Sequence, residues 1–208
     1  MNEDRLPPAL FDALALRGNA RSFRANAILI SEGDVGDTLY IVLSGRIRTY
    51  ASSAEGRDVV LGDYGPGEYL GELALDGGLR SASAKTTEAT TCRVVQGAEL
   101  RAFLAEHPDF AVHLSQKLVR MVRRLTEQVK RLALQDVYGR MVNVLMELSD
   151  ASGDERIVRE KLTQQDIADR VGSSREMVNR VLKDLTTGGY VSARDGRYVI
   201  HRRLPAAR

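Results

Sequence analysis

At 208 residues, with 43% hydrophobic and 28% charged side chains and no Trp, the chain can bury one large core or two small ones and has the composition of a soluble globular protein. No apolar run approaches the ~20 residues that span a bilayer, and Met1 to Pro8 is polar with two acids, unlike a signal peptide. The single cysteine, Cys92, excludes an internal disulfide and any multi-cysteine metal or iron–sulfur site. These features predict a cytoplasmic protein without a membrane partner; a net charge of +2 says little about nucleic acid until the charges are placed.

Leu6 to Leu16 carries apolar residues at helical spacing, with Pro7 and Pro8 suited to a first turn, and predicts a short leading helix. From Ser22 to Val95 the character changes to short alternating or β-branched runs: 27–30, 38–43, 46–50, 59–61, 69–70, 83–86 and 92–95. Gly33, Gly36, Gly45, Gly56, Gly65 and Gly67 punctuate them, the pattern of a β-sandwich or barrel. Cys92 falls in one of these alternations and is expected to be a buried strand residue.

The stretch Gly71-Glu72-Leu73-Ala74-Leu75-Asp76-Gly77-Gly78-Leu79-Arg80-Ser81-Ala82-Ser83 interrupts the alternation. It predicts an insertion with its own conformation and a short helical turn starting near Glu72. Free backbone N–H groups with an adjacent Arg and Ser can surround a phosphate, because all of them donate to anionic oxygens. An acid in the same loop cannot bind phosphate, but it can accept a hydrogen bond from a ribose 2′-OH. The chemistry of this loop is that of a pocket for a phosphorylated ribose.

After Gly97 the period turns helical. A short helix over 98–105 is expected to end before Pro108, followed by a long one over about 109–134. Along the long helix Leu114, Leu118, Met121, Leu125, Gln128 and Leu132 are spaced 4, 3, 4, 3, 4, flanked by Val122 and Val129. This is a coiled-coil seam that suits a two-fold dimer, with Gln128 able to fix register, or else a helix lying on its own domain. Lys117, Arg120, Arg123, Arg124, Lys130 and Arg131 surround the seam. Asp136 is placed to cap the next helix, 137–148, and 149–155 reads as a polar loop.

Thr163-Gln164-Gln165-Asp166 has the pattern of a capping box. Ile167, Ala168 and Val171 give its helix an apolar side, and Gly172 ends it. A second helix begins almost at once at Ser173-Ser174-Arg175-Glu176, making a helix-turn-helix whose second helix enters the DNA major groove. Projected at 100° per residue, Arg175, Glu176, Asn179, Arg180 and Lys183 share a polar arc, with Met177, Val178, Val181, Leu182 and Leu185 opposite. Arg to guanine, Glu to a cytosine amine and Asn to adenine are pairings that groove geometry permits. Glu176 could instead complete a capping box with Ser173. Asp195-Gly196 between alternating runs signals a hairpin, hence a wing that could lay Arg194 and Arg197 beside a phosphate.

These residues resemble a known family. The β-rich half looks like a cyclic-nucleotide-binding domain, and Gly71-Glu72-Leu73-Ala74-Leu75 followed by Arg80-Ser81-Ala82 is similar to its phosphate-binding cassette. Ser173-Ser174-Arg175-Glu176-Met177-Val178-Asn179-Arg180 resembles the recognition helix of the catabolite activator (CRP/FNR) family, and the likeness covers nearly the whole chain. It implies an α+β architecture with three parts: a β-roll or jelly-roll sensor over 1–108, a dimerisation helix and hinge over 109–135, and a winged helix-turn-helix over 136–208.

By the same resemblance, Glu72 binds the ribose 2′-OH and Arg80 and Ser81 the cyclic phosphate, while Gly71 and Leu73 shape the loop. Leu125 and Thr126 fall where two polar residues of the family reach adenine. Thr126 keeps a hydroxyl, whereas Leu125 departs from the pattern and puts adenine selectivity in doubt. The implied DNA-binding set is Thr163, Gln164, Ser174, Arg175, Glu176, Asn179, Arg180 and Lys183. Of these Arg175, Glu176 and Arg180 match the family's base-reading positions, and the implied target is a palindrome with TGTGA-like half-sites. Met177 and Asn179 depart from the best-known member.

The expected protein is thus a homodimeric transcription regulator that binds double-stranded DNA under control of a cyclic nucleotide, cAMP first. It contacts RNA polymerase through surface loops such as 149–155, and it has no cofactor and no catalytic or metal site. The rival readings are a family member that needs no ligand or senses another nucleotide, and a cyclic-nucleotide-binding module acting on a partner protein. His107, His113 and His201 are not placed as sensor-domain haem ligands.

Overall fold

The computed structural model describes residues 4–205. It divides into two compact units: the residues up to Ser52 with Val60–Arg123, and Ser53–Val59 with Arg124 onward.

In the first unit, helix α1 (Pro8–Ala15) starts on its proline, whose missing N–H costs nothing in a first turn, and buries Leu10 and Leu14. Eight strands follow: β1 (Asn19–Phe23), β2 (Ile28–Ile30), β3 (Leu39–Ser44), β4 (Ile47–Ser52), β5 (Asp58–Tyr64), β6 (Tyr69–Leu70), β7 (Ser83–Thr86) and β8 (Thr90–Val95). They form two four-stranded sheets, ordered β1-β8-β3-β6 and β2-β7-β4-β5. Strand alternation splits their side chains between two cores. Leu39, Ile41, Tyr69 and Val95 join α1 and the helices after the sheets, while Val42, Leu70, Ala84 and Cys92 join Ile30 and Ile47. Cys92 is wholly buried in β8, and burial pushes its thiol up to about 11.

Strand β1 was not expected. Its sequence, Asn-Ala-Arg-Ser-Phe, shows no apolar alternation and is mostly exposed, so pairing with β8 from Asn19↔Val94 to Phe23↔Thr90, and not burial, holds it in the sheet.

Helix α2 (Gly97–Glu106) opens on a reciprocal capping box between Gln96 and Glu99. Helix α3 (Pro108–Leu134) turns Phe110, His113 and Lys117 inward. The predicted seam divides along it. Leu114 packs on the core, and Leu118 and Met121 are half-buried. The apolar row left exposed is Val112, Val119, Val122, Leu125, Val129 and Leu132. Two apolar stripes run side by side along this helix, and the one beside Phe110 is used for its own fold.

In the second unit, Asp136 caps helix α4 (Val137–Glu147) by accepting from Gly139 N at 2.7 Å, as expected. The predicted loop 149–155 is instead a hairpin of β9 (Ser149–Ser152) and β10 (Glu155–Val158), turning at Gly153 with φ +61°. Its Ser-Asp-Ala-Ser arm has no apolar face to announce a strand.

Helices α5 (Gln164–Val171) and α6 (Arg175–Thr187) follow, then β11 (Val191–Arg194) and β12 (Arg197–Ile200), in a sheet ordered β11-β12-β10-β9. The β11–β12 turn places Asp195 at φ +53° and Gly196 at +77°, both left-handed, as a two-residue hairpin requires. Met141, Leu145, Val158, Ile167, Val178, Leu182 and Ile200 are among the residues that close this unit's core.

Candidate functional site

The Gly71–Ser83 stretch opens, as its sequence suggests, on one 3-10 turn, Glu72–Asp76. Gly71 sits at φ +99°, and a Cβ there would lie 2.5 Å from the carbonyl oxygen of Thr38. No other residue satisfies both demands without moving the backbone. Further along, Asp76 accepts from Gly78 N at 2.8 Å, which tightens the following turn.

Arg80 is buried, and its guanidinium donates to Gly71 O at 3.1 Å and to Thr38 O at 2.9 Å. Its backbone bonds Asp34 O and Gly33 N, so the β2–β3 loop backs the cassette. Two carbonyl partners fix the plane of a fork that has five N–H donors. Such a fork can hold an anion only where the anion meets the edge that the carbonyls leave. Ser81 and Leu73 are exposed.

Glu72 is engaged more deeply. Its carboxylate lies 2.9 Å from the Lys117 ammonium, in a pair whose side chains are 3% and 0% exposed. Lys117 also donates to the Tyr69 carbonyl oxygen and lies 3.7 Å from the centre of the Tyr69 ring. A lysine is almost never fully buried unless paired, and this one has a carboxylate, a carbonyl and an aromatic face. Burial pushes its ammonium below the ordinary lysine value, and Glu72 pulls the other way.

The sequence places Lys117 among the cations surrounding the seam, and the structure turns it inward instead. The signal was present, since Lys117 follows Phe110 and His113 at spacings of 3 and 4 and so shares their inward face. Below it, His113 lies between Tyr69 Oη at 3.2 Å and Arg5 O at 3.1 Å, and burial lowers its pKa. Of the two positions expected to judge the base, Leu125 is 41% exposed and Thr126 is also exposed; both belong to the second unit, the cassette to the first.

In the second unit the helix-turn-helix is built from its caps. Thr163 and Asp166 form the expected reciprocal box at the start of α5, and Gly172 ends that helix in the left-handed conformation at φ +61°. Arg140 donates from Nε to Val171 O at 2.7 Å, a cation at a helix C-terminus. The cap of α6 is Ser174, whose Oγ accepts from Met177 N at 3.3 Å. The alternative box between Ser173 and Glu176 is therefore not formed. Glu176 stands exposed, its carboxyl held below the usual range by its own backbone N–H and by the Ser174 hydroxyl.

Helix α6 buries Val178, Val181, Leu182 and Leu185 and exposes Arg175, Glu176, Asn179, Arg180 and Lys183. Met177, expected on the inner face, is 37% exposed, because it lies at the edge of the arc in the first turn. Gln164 at the start of α5 donates to Asn179 Oδ1 at 3.0 Å, a link between the two helices that no sequence pattern announces. In the wing, Arg194 pairs with Glu155 at 3.2 Å, and His201 bridges Glu155 and Ser192 at 2.8 Å each. Arg197 remains exposed. Among the described residues, no helix is long and apolar enough to cross a membrane.

A sensor β-roll and a winged helix-turn-helix in one chain define a class, the DNA-binding transcription regulators that carry a cyclic-nucleotide-binding domain. Residues 20–107 match the family model of the cyclic nucleotide-binding domain, and residues 139–204 that of the Crp-like helix-turn-helix domain. The CRP-like cAMP-activated global transcriptional regulator of Mycobacterium tuberculosis is 32% identical over 189 residues, covering 88% of this chain and 84% of the relative. The cAMP-activated global transcriptional regulator CRP of Salmonella typhimurium is 30% identical over 184 residues, covering 86% and 88%.

Among solved structures, the c-di-GMP responsive global regulator CLP of Xanthomonas campestris superposes with a TM-score of 0.85 at 26% identity, covering 95% of this chain and 100% of that one. A CooA variant from Carboxydothermus hydrogenoformans shares the fold with a TM-score of 0.79 at 19% identity, covering 92% and 87%. The chain belongs to the CRP/FNR family of transcription regulators.

Proposed function

We propose that this protein is a cAMP-responsive dimeric regulator that binds a palindromic operator with TGTGA-like half-sites. The observation that carries the reading is the face of α6, where Arg175, Glu176 and Arg180 are exposed together while the apolar face is buried. Arg can read guanine and Glu a cytosine amine, which suits a G·C-containing half-site. The names of the relatives at 30% and 32% identity support cAMP as the signal.

Three parts divide the work: a sensor over 1–108, a dimer helix over 109–135, and a reader over 136–208. The exposed row Val112, Val119, Val122, Leu125, Val129 and Leu132, at spacings of three, four and seven, suits a second copy of α3. Nucleotide at the cassette favours the helix arrangement in which it makes more contacts, and that arrangement sets two recognition helices about one DNA turn apart. A charge-assisted bond from Arg80 to the phosphate, worth roughly 1.5–3 kcal/mol, supplies part of that bias. Contact with RNA polymerase falls to surface segments such as 149–155, which here lie in the β9–β10 hairpin.

The test is anisotropy of a labelled palindromic duplex at fixed salt, with and without cAMP. Tightening with cAMP that is lost in Arg80→Ala supports the reading. An Arg80→Ala protein that responds to cAMP like the wild type sinks the pocket assignment.

One observation favours a second reading, in which the regulator needs no ligand or takes a different nucleotide. Glu72 already holds a buried cation, and Leu125 offers no polar group to adenine. A ribose hydroxyl that uses Glu72 has to share it with Lys117 or displace it. The c-di-GMP responsiveness named for the regulator at 26% identity supports a different nucleotide. Calorimetry with cAMP, cGMP and c-di-GMP separates the two readings: heat with cAMP alone favours the first, and heat with another nucleotide or with none favours the second.

A further inference from the structure

The amide pair Gln164–Asn179 lies at the reading face: both residues belong to the DNA-binding set that the resemblance implies, but the resemblance gives no role to the bond between them. Asn179 is exposed on α6 four residues after Arg175 and four before Lys183, in the row that faces outward. Gln164 is half-buried in the first turn of α5, so its side chain is less free than a surface glutamine's. Its Nε2 donates to Asn179 Oδ1 at 3.0 Å. The Thr163–Asp166 box holds the start of α5, and Ile167, one turn on, is wholly buried. The amide of Gln164 is therefore presented from a fixed backbone.

We propose that Gln164 is a positioning residue for base reading, and that the Gln164–Asn179 pair makes Asn179 a reader of adenine in each half-site. An unsupported asparagine on a helix surface can turn its amide over and present oxygen and nitrogen in either order. In the structure Gln164 Nε2 is set against Oδ1, and while that donor is kept the asparagine presents one order. The carbonyl keeps a second lone pair and Nδ2 keeps both hydrogens, so the outward edge still has one acceptor and one donor side by side. That edge complements adenine in the major groove, with Oδ1 accepting from N6–H and Nδ2 donating to N7. Fixing the amide beforehand removes an ordering cost at the moment of binding. The proposal rests on the reading of α6 as the base-contacting helix.

The experiment selects bound duplexes from a random pool using full-length wild type, Asn179→Ala, Gln164→Leu and the double variant, each first shown to melt like the wild type. The expected wild-type site contains an adenine at one position per half-site that Asn179→Ala no longer enriches. Gln164→Leu should weaken enrichment at that same position and leave the others unchanged, with discrimination against the other bases falling about tenfold. The double variant should match Asn179→Ala, because Gln164 acts through Asn179.

If Gln164→Leu leaves the selected site unchanged, the proposal is wrong. It is equally wrong if that variant loses affinity uniformly for all sequences, which is the mark of a phosphate contact. Enrichment by wild type of a base other than adenine at the Asn179 position also overturns it. A wild type that selects no sequence at all instead refutes the base-reading role of α6, a result distinct from any change confined to one position.

Discussion

The Gly71–Ser83 stretch and the outer face of α6, the two candidate sites, are both polar motifs on well-packed supports, yet they treat their charges in opposite ways. On α6, Arg175, Glu176, Arg180 and Lys183 are turned outward and meet solvent. In the cassette, Glu72 is closed on Lys117, and Arg80 is bonded to two backbone carbonyls. A reading face must offer its hydrogen bonds to any duplex that arrives. A sensor must make binding cost something that only the right ligand repays, and groups already satisfied inside the protein set such a threshold.

The largest expected effect breaks the closed side of this comparison. Lys117→Ala leaves the Glu72 carboxylate buried without its cation and should cost roughly 3–5 kcal/mol in denaturant unfolding, whereas Glu72→Gln with Lys117→Met should recover most of it. A Lys117→Ala protein as stable as wild type would show that the pair is not buried in solution. On the open side, Arg175→Ala should weaken binding to the selected operator by about tenfold to a hundredfold, the worth of one bidentate guanine contact, with the unfolding midpoint unchanged. A loss equal on operator and random DNA would instead assign Arg175 to phosphate.

The support under the reader can be tested next. Thr163→Ala removes the cap of α5 and should destabilise the second unit by about 1 kcal/mol, read from its thermal midpoint. Thr163→Ser should restore most of that loss, and no loss with alanine would mean that the box contributes nothing.

The smallest effect concerns pH. Burial first, and then the charges of Arg120 and Lys117, outweigh the Arg5 carbonyl and Asp4 and lower the pKa of His113. The unfolded chain therefore binds the extra proton more readily than the folded one, so the contribution of His113 to stability is complete above about pH 6.5 and declines as pH falls below it. Thermal melts from pH 7.5 to 5.5 should show this decline in wild type and a shallower one in His113→Gln. Equal slopes would rule out His113 as the source.

Much of the molecule was legible in the chain. The leading helix, the strands broken by glycine, the turn at Glu72, the caps at Asp136 and Thr163, the left-handed stop at Gly172 and the Asp195-Gly196 hairpin are local matters, each decided by a few neighbouring residues. Strand β1 escaped because its residues are mostly polar and its partner β8 is distant, and the β9–β10 hairpin because the β9 arm shows no apolar alternation, while β10's second partner, β12, lies far along the chain.

For the candidate sites, the sequence by itself determined which side chains are on offer: an acid, an arginine and a serine around a glycine-rich turn, and two arginines with a glutamate on one helical arc. Only the tertiary structure decided which of those groups are already spoken for. That Lys117 meets Glu72, that Arg80 is held by Thr38, and that Gln164 meets Asn179 follow from side chains approaching across 45, 42 and 15 residues of chain. Periodicity reports the face on which a residue lies. It carries no information about what another element brings to that face, because such pairings are set by packing.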